Sequence, residues 1–406
     1  SLGASQEKAV ILKENTALAQ SAKIFIETPI EVWQDYLKIH TLRAYAEVLP
    51  KAIEDVRFEF YDKTLSGIPQ QEDRLKRAIT AVNDSLGEAI GQLYVSKYFP
   101  ASSKAQMEEL VESLKIAFAL RLQKLEWMSE ATKKEALTKL RQLTTKIGYP
   151  EVWTDYSPLH IAKGDALGNY QRWRAFDRRQ MLKKLGTAVD KNQWPMTPQT
   201  VNAYYSPNRN EIVFPAGILQ APFFDPAADM AVNYGAIGAV IGHEISHAFD
   251  DQGRRSDGYG MQRNWWTDED SRRFQKRADR LGAQYATFSP LEGLFVQPEL
   301  TMGENIGDLG GVTVAFEAYK LRMKNETPEL LDGYTGAQRF FMAWAQIWKR
   351  QYRDEELKRR LVTGPHSPSP YRTNGVVRNI DEWYDAFDIT PKDELYFPPQ
   401  ERVEIW

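Results

Sequence analysis

Residues 243–247 read His-Glu-Ile-Ser-His and close the apolar stretch Ala231 to Gly242. On a helix, positions i and i+4 lie on one face, roughly 5–6 Å apart at Cβ. Two imidazoles so placed both reach a Zn²⁺ ion at about 2.0–2.1 Å. His243 and His247 are therefore candidate metal ligands, and Glu244 stands beside the ion as a base rather than a ligand. The chain contains five histidines, so this spacing around a glutamate has few opportunities to arise by chance.

A third ligand comes from Gly303-Glu-Asn-Ile-Gly-Asp-Leu-Gly-Gly311, which sets Glu304 and Asp308 four residues apart on one face of an expected helix start. Acidic pairs are most often solvated. Glycines and apolar neighbours here instead favour Glu304 on the metal with Asp308 behind it, accepting the far N–H of a zinc-bound histidine and fixing its tautomer. Two histidines and one glutamate leave the fourth position of a catalytic zinc to water. One Zn²⁺ per chain is expected.

Working outward, the 406 residues suffice for two or three domains, and 42% hydrophobic with 12% aromatic content argues against disorder. A net charge of −3 without a basic run gives no bias toward nucleic acid or anionic membrane. Absence of cysteine excludes disulfides and thiolate metal sites. The stretch Ala231 to Gly242 is about half a membrane span and contains Asn233. Ser1 to Lys13 is mixed polar and does not read as a signal peptide. No membrane contact is expected from this chain.

The first half reads as successive helices. Ser103-Lys-Ala-Gln106 matches a capping box, followed by a stripe at Val111, Leu114, Phe118, Leu122 and Leu125. Ser129 starts a second helix, which Gly148-Tyr-Pro150 stops, and a third spans about 169–185. Trp194-Pro-Met-Thr-Pro198 breaks the pattern and marks a domain boundary. Beyond it, 201–205 and 211–214 predict a hairpin, and Thr267 predicts the N-cap of a later helix. A strand beside a zinc helix suits a peptidase, because an exposed edge binds extended substrate through main-chain hydrogen bonds.

At this point the second half resembles the neprilysin and endothelin-converting-enzyme family of zinc metallopeptidases. The resemblance rests on Val-Asn-Ala-Tyr-Tyr at 201–205, Ile-Val-Phe-Pro-Ala-Gly-Ile-Leu-Gln at 212–220 and Asn-Tyr-Gly-Ala-Ile-Gly at 233–238. It continues through Val-Ile-Gly-His-Glu-Ile-Ser-His-Ala-Phe-Asp-Asp at 240–251, Gly-Glu-Asn-Ile-Gly-Asp at 303–308, His-Ser-Pro at 366–368 with Arg372, and Trp406. The match covers 195–406, with a looser likeness in the helical half at Lys146-Ile-Gly-Tyr-Pro150.

The resemblance implies a mainly α fold with a small β-sheet (α+β): a thermolysin-like zinc catalytic domain at 193–406, capped by part of a helical lid domain at 1–192. It implies that Asn202 and the backbone of Ala203 hold the substrate main chain, that His366 stabilises the oxyanion, and that Arg372 binds a substrate carbonyl. Ile218, Phe223, Val240, Ile347 and Trp348 would line the pocket for the residue after the cut. Ala239 stands where relatives can carry a larger residue, which bears on pocket depth. The expected activity is zinc-dependent hydrolysis of short peptides on the amino side of large hydrophobic residues, by a bacterial-type, periplasmic or extracellular enzyme. Relatives carry a long preceding segment, so an N-terminal polypeptide completing the lid is an expected partner. Two alternatives stay open: a zinc aminopeptidase, which needs acidic groups for a free N-terminus that are not evident near Asn202, and a non-catalytic peptide-binding relative.

Overall fold

The computed structural model describes residues 14–326 and 329–406, so the opening Ser1–Lys13 lies outside the described residues. In chain order the elements are α1 (Asn15–Glu27), α2 (Ile30–Tyr45), α3 (Lys51–Arg57), α4 (Arg74–Tyr98), α5 (Ala101–Lys124), α6 (Glu130–Arg141), β1 (Thr144–Gly148) and α7 (Ala166–Lys183). Then follow β2 (Tyr204–Ser206), β3 (Glu211–Pro215), α8 (Met230–Asn233), α9 (Ala239–Ser246), α10 (Asp268–Tyr285) and α11 (Pro298–Met323). The last four are α12 (Gly336–Ile347), α13 (Asp354–Thr363), α14 (Ser369–Val377) and α15 (Asp381–Phe387). Helices dominate and one three-stranded sheet accompanies them, the α+β composition expected. No helix among the described residues is long and apolar enough to cross a membrane.

Two compact units divide the chain, and not at residue 192. One takes the described residues up to Leu86 with Thr154–Lys191; the other takes Gly87–Trp153 with the described residues of Asn192–Trp406. The expected helical domain at 1–192 is thus split, because residues 87–153 pack with the metal-motif half. The stripe predicted on α5 explains this: Val111, Leu114, Phe118 and Leu122 are buried in the same core as Ile245 and Phe249. In addition, β1 pairs in parallel with β3, Ile147 opposite Phe214. Each large apolar side chain so buried contributes about 1.5–3 kcal/mol, which fixes where α5 belongs. In the first unit, α1 and α2 bury none of their residues, leaving Phe25, Ile26 and Leu37 exposed.

Helix starts follow cap chemistry, with one correction. Ser129 caps α6 by accepting from Thr132 N–H, and Thr267 caps α10 by accepting from Asp270 N–H at 3.1 Å. Buried Asp270 joins the two caps, its Oδ2 accepting from the hydroxyls of Ser129, Thr132 and Thr267 at 2.5–2.7 Å. Ser103 is no cap. α5 begins two residues earlier behind Pro100, and Ser103 N–H already donates to the Pro100 carbonyl. Proline pre-sets the backbone before the first turn, so the helix opens there.

The hairpin forms as β2 antiparallel to β3, with β2 running Tyr204–Ser206 rather than over the expected 201–205. The order β1-β3-β2 places β3 in the middle, with all five residues buried, and leaves β2 as an open edge. β1 was not anticipated. Its run Thr-Thr-Lys-Ile follows α6 after a two-residue turn, where the sequence predicts that the helix continues to Gly148.

Candidate active site

Four small residues let two helices touch backbone to backbone. A Cβ on Gly242 of α9 would meet the Gly311 carbonyl at 2.6 Å, and one on Gly311 of α11 would meet the Ala239 carbonyl at 2.5 Å and His243 N at 2.6 Å. One turn away, a Cβ on Gly307 would press on the His243 ring at 2.8 Å. This approach carries Glu304 and Asp308 against the two histidines. Ala239 is consumed by the same crossing. It is fully buried, with its backbone carbonyl against Gly311, and as an alanine it does not line the cavity described below.

His243 and His247 present their rings edge to face with centroids 4.4 Å apart. Their ligating atoms and one from Glu304 lie within 4.8 Å of one another, the one such cluster among the described residues. Glu304 Oε2 stands 3.1 Å from His243 Nε2 and 3.6 Å from His247 Nε2, yet this buried atom makes no hydrogen bond of good geometry. Behind the rings, the far nitrogens are occupied. His247 Nδ1 is 2.6 Å from Asp250 Oδ2, and a carboxylate only accepts, so Nδ1 carries a proton and Nε2 is the nitrogen turned toward Glu304. His243 Nδ1 lies 2.8 Å from Asp308 Oδ1, close but off the line of a straight bond. Two imidazole nitrogens and one carboxylate oxygen converge, all three able to donate a lone pair once the imidazoles are neutral. That donor set fits Zn²⁺ with a position left open.

Without an ion, the carboxylates around the two histidines favour their protonated forms. Burial and the neighbouring imidazole oppose charge on His243, but Asp308 and Glu304 outweigh them and raise its pKa. Burial lowers His247 too, while Asp250 and Glu304 lift it well above the usual 6.5. Burial pushes the Glu304 carboxyl up, and the three histidines around it hold it well below the usual 4.5. Glu244, buried next to His243, is pushed up chiefly by burial.

The remaining expected residues fall in the same place. A cavity of about 680 Å³ is lined by Asn202, Ala203, Ile218, Phe223, Val240, Ile347, Trp348, His366 and Arg372 together with His243, Glu244, His247, Glu304 and Asp308. Asn202 and Ala203 lie at the entry to the open edge β2. His366, on the loop between α13 and α14, is exposed, with Nε2 3.1 Å from Glu304 Oε2. Arg372 is committed further than its expected role requires. Its Nε and Nη2 each donate to Asp308 at 2.6 Å, and its guanidinium stacks 3.8 Å over the Trp348 ring.

Sequence reasoning missed Asp250, although its place three residues after His247 was a usable signal. It also missed Lys349, Arg350 and Arg360 on the cavity wall, for which no spacing gave a sign.

Two family models, both described as peptidase family M13, match residues 1–150 and 202–403. The zinc metalloprotease Zmp1 of Mycobacterium tuberculosis, solved in complex with an inhibitor, aligns with a TM-score of 0.93 at 47% identity, over 96% of this chain and 60% of that one. A neutral endopeptidase of Lactobacillus helveticus is 34% identical over 98% of this chain and 60% of its own length. Human endothelin-converting enzyme 1 is 33% identical over 99% of this chain and 53% of its own length. The chain therefore spans roughly half to three-fifths of these relatives.

Proposed function

The chain belongs to peptidase family M13, and from that premise we propose that it is a zinc-dependent endopeptidase cutting short peptides on the amino side of large hydrophobic residues. The observation that carries this reading is the convergence of His243, His247 and Glu304 beside buried Glu244 in one cavity.

When bound, Zn²⁺ supplies Lewis acidity, lowering the pKa of a water toward about 7 and polarising the scissile carbonyl. Glu244 takes the proton from the attacking water and delivers it to the leaving amine. A carboxyl raised by burial is better matched to both halves of that transfer. His366 donates to the oxygen on which negative charge develops. Asn202 and the Ala203 backbone hold an extended substrate along β2, as strand addition requires. Arg372 has N–H groups left for a substrate carbonyl after serving Asp308. Ile218, Phe223, Val240, Ile347 and Trp348 take the side chain after the cut. The compartment in the same proposal is periplasmic or extracellular, checked by fractionating the native host.

Glu244→Gln separates chemistry from binding. The variant is expected to keep zinc and peptide affinity while kcat falls by several orders of magnitude. Substantial hydrolysis by the folded, zinc-loaded variant would rule out the mechanism.

A further inference from the structure

Lys139 of α6 is only 2% exposed, and its ammonium is aimed at one short stretch of backbone. Nζ donates to the carbonyls of Ala248, Gly253 and Ser256, each at 2.7 Å. An ammonium has three N–H groups and no acceptor, so every donor is used on the turn that follows His247. The same turn is folded around Asp250. Asp250 Oδ1 accepts from the N–H groups of Gln252 at 2.9 Å and Gly253 at 2.7 Å, while Oδ2 faces His247 Nδ1. No slack remains, because a Cβ on Gly253 would collide with the His247 carbonyl.

We propose that Lys139 is a positioning residue of the metal site, clamping the 248–256 turn that carries Asp250 so that His247 directs Nε2 at the ion. This rests on the reading of His243, His247 and Glu304 as zinc ligands.

Packing alone does not require a charge here. The Tyr205, Phe249 and Trp265 rings stand 5.8–5.9 Å from Nζ, and an apolar side chain of equal length would fill that space without the cost of burying an ammonium. Burial draws the Lys139 pKa down to about 7, against the pull of Asp250 and Asp257. A neutral amine would turn a lone pair toward one of the three carbonyls, so the charged form is the one the turn accommodates. The chain of effects runs from Lys139 through Asp250 to His247 Nδ1–H. Partners of this kind behind a ligand change metal affinity by about 10–100-fold.

The test is zinc affinity by chelator competition on wild type, Lys139→Met, Lys139→Gln, Asp250→Asn, Lys139→Met/Asp250→Asn and Glu304→Ala. Lys139→Met is expected to bind zinc about 10–100-fold more weakly, with kcat reduced and KM little changed in the zinc-saturated enzyme. Lys139→Gln should follow Met, since its shorter side chain offers two N–H donors against three carbonyls. The double variant should be no weaker than Asp250→Asn alone, because the two residues act in one line. Wild-type zinc affinity in a folded Lys139→Met or Lys139→Gln protein overturns the proposal, as does additivity in the double variant. If neither uncharged variant folds, Lys139 serves the core rather than the metal site and the proposal fails. Glu304→Ala keeps the two readings apart: full zinc affinity there removes the ligand assignment itself.

Discussion

At the scale of single residues, the site is a set of protons assigned by acceptors. Asp250 and Asp308 stand behind His247 and His243, and Glu304 stands in front, so each imidazole has a carboxylate at its back and turns Nε2 toward Glu304. The pH dependence follows. With the ion stripped by a chelator, His247 has a folded pKa well above its ordinary 6.5. It therefore contributes stability that is fully present below pH 6.5 and is lost as pH rises through the folded value. Glu304, held well below 4.5, contributes stability present above pH 4.5 and lost as pH falls through its own folded value. Zinc must displace the protons on the histidines, so its affinity rises as pH climbs through the same range that weakens the stripped protein. Melting curves with and without excess zinc from pH 6 to pH 9 are expected to diverge as pH rises. A zinc-induced shift that stays flat across that range would contradict the assignment.

At the scale of elements, the candidate ligands are readable because the chemistry repeats at helical spacing. His243 with His247 and Glu304 with Asp308 each fall at i, i+4 on α9 and α11. What brings the two pairs together was not readable. Gly242 and Gly311 are 69 positions apart in number, and nothing local says that each leaves room for the other's backbone. Gly311→Ala is expected to force α9 and α11 apart, since the new Cβ would sit 2.5 Å from a backbone carbonyl that has no rotamer to escape into. Overpacking of this kind costs about 1–3 kcal/mol, and here it moves Glu304 away from His243 as well. The variant should melt lower and bind zinc more weakly. Loss of stability with unchanged zinc affinity would show that the crossing does not set the ligand spacing. The same limit explains β1 and Asp250. A five-residue parallel strand depends on a partner 67 positions away, and a lone aspartate after a histidine has meaning only once the turn has closed. Ser103 failed for the opposite reason, a good local signal overruled by Pro100 immediately before the helix.

At the scale of the whole molecule, the residues expected to contact a peptide lie between 202 and 372 in sequence and line one cavity in the unit that α5 and β1 help to build. One wall is apolar, from Ile218, Phe223, Val240, Ile347 and Trp348, while Lys349, Arg350 and Arg360 add positive charge to the wall. A large apolar side chain placed after the scissile bond gains about 1.5–3 kcal/mol from full burial. At about 1.4 kcal/mol per tenfold, that corresponds to roughly 10–100-fold in kcat/KM over a small residue at the same place. A charged side chain there gains nothing and loses its hydration. Cleavage of a mixed peptide library, sequenced at the new N-termini, is expected to show Leu, Ile, Phe or similar residues at the first position after the cut. Enlarging the wall by Val240→Phe should shift that preference toward smaller apolar residues without changing zinc affinity. Charged residues dominating that position, or a library profile unchanged by Val240→Phe, would remove these side chains from the specificity pocket.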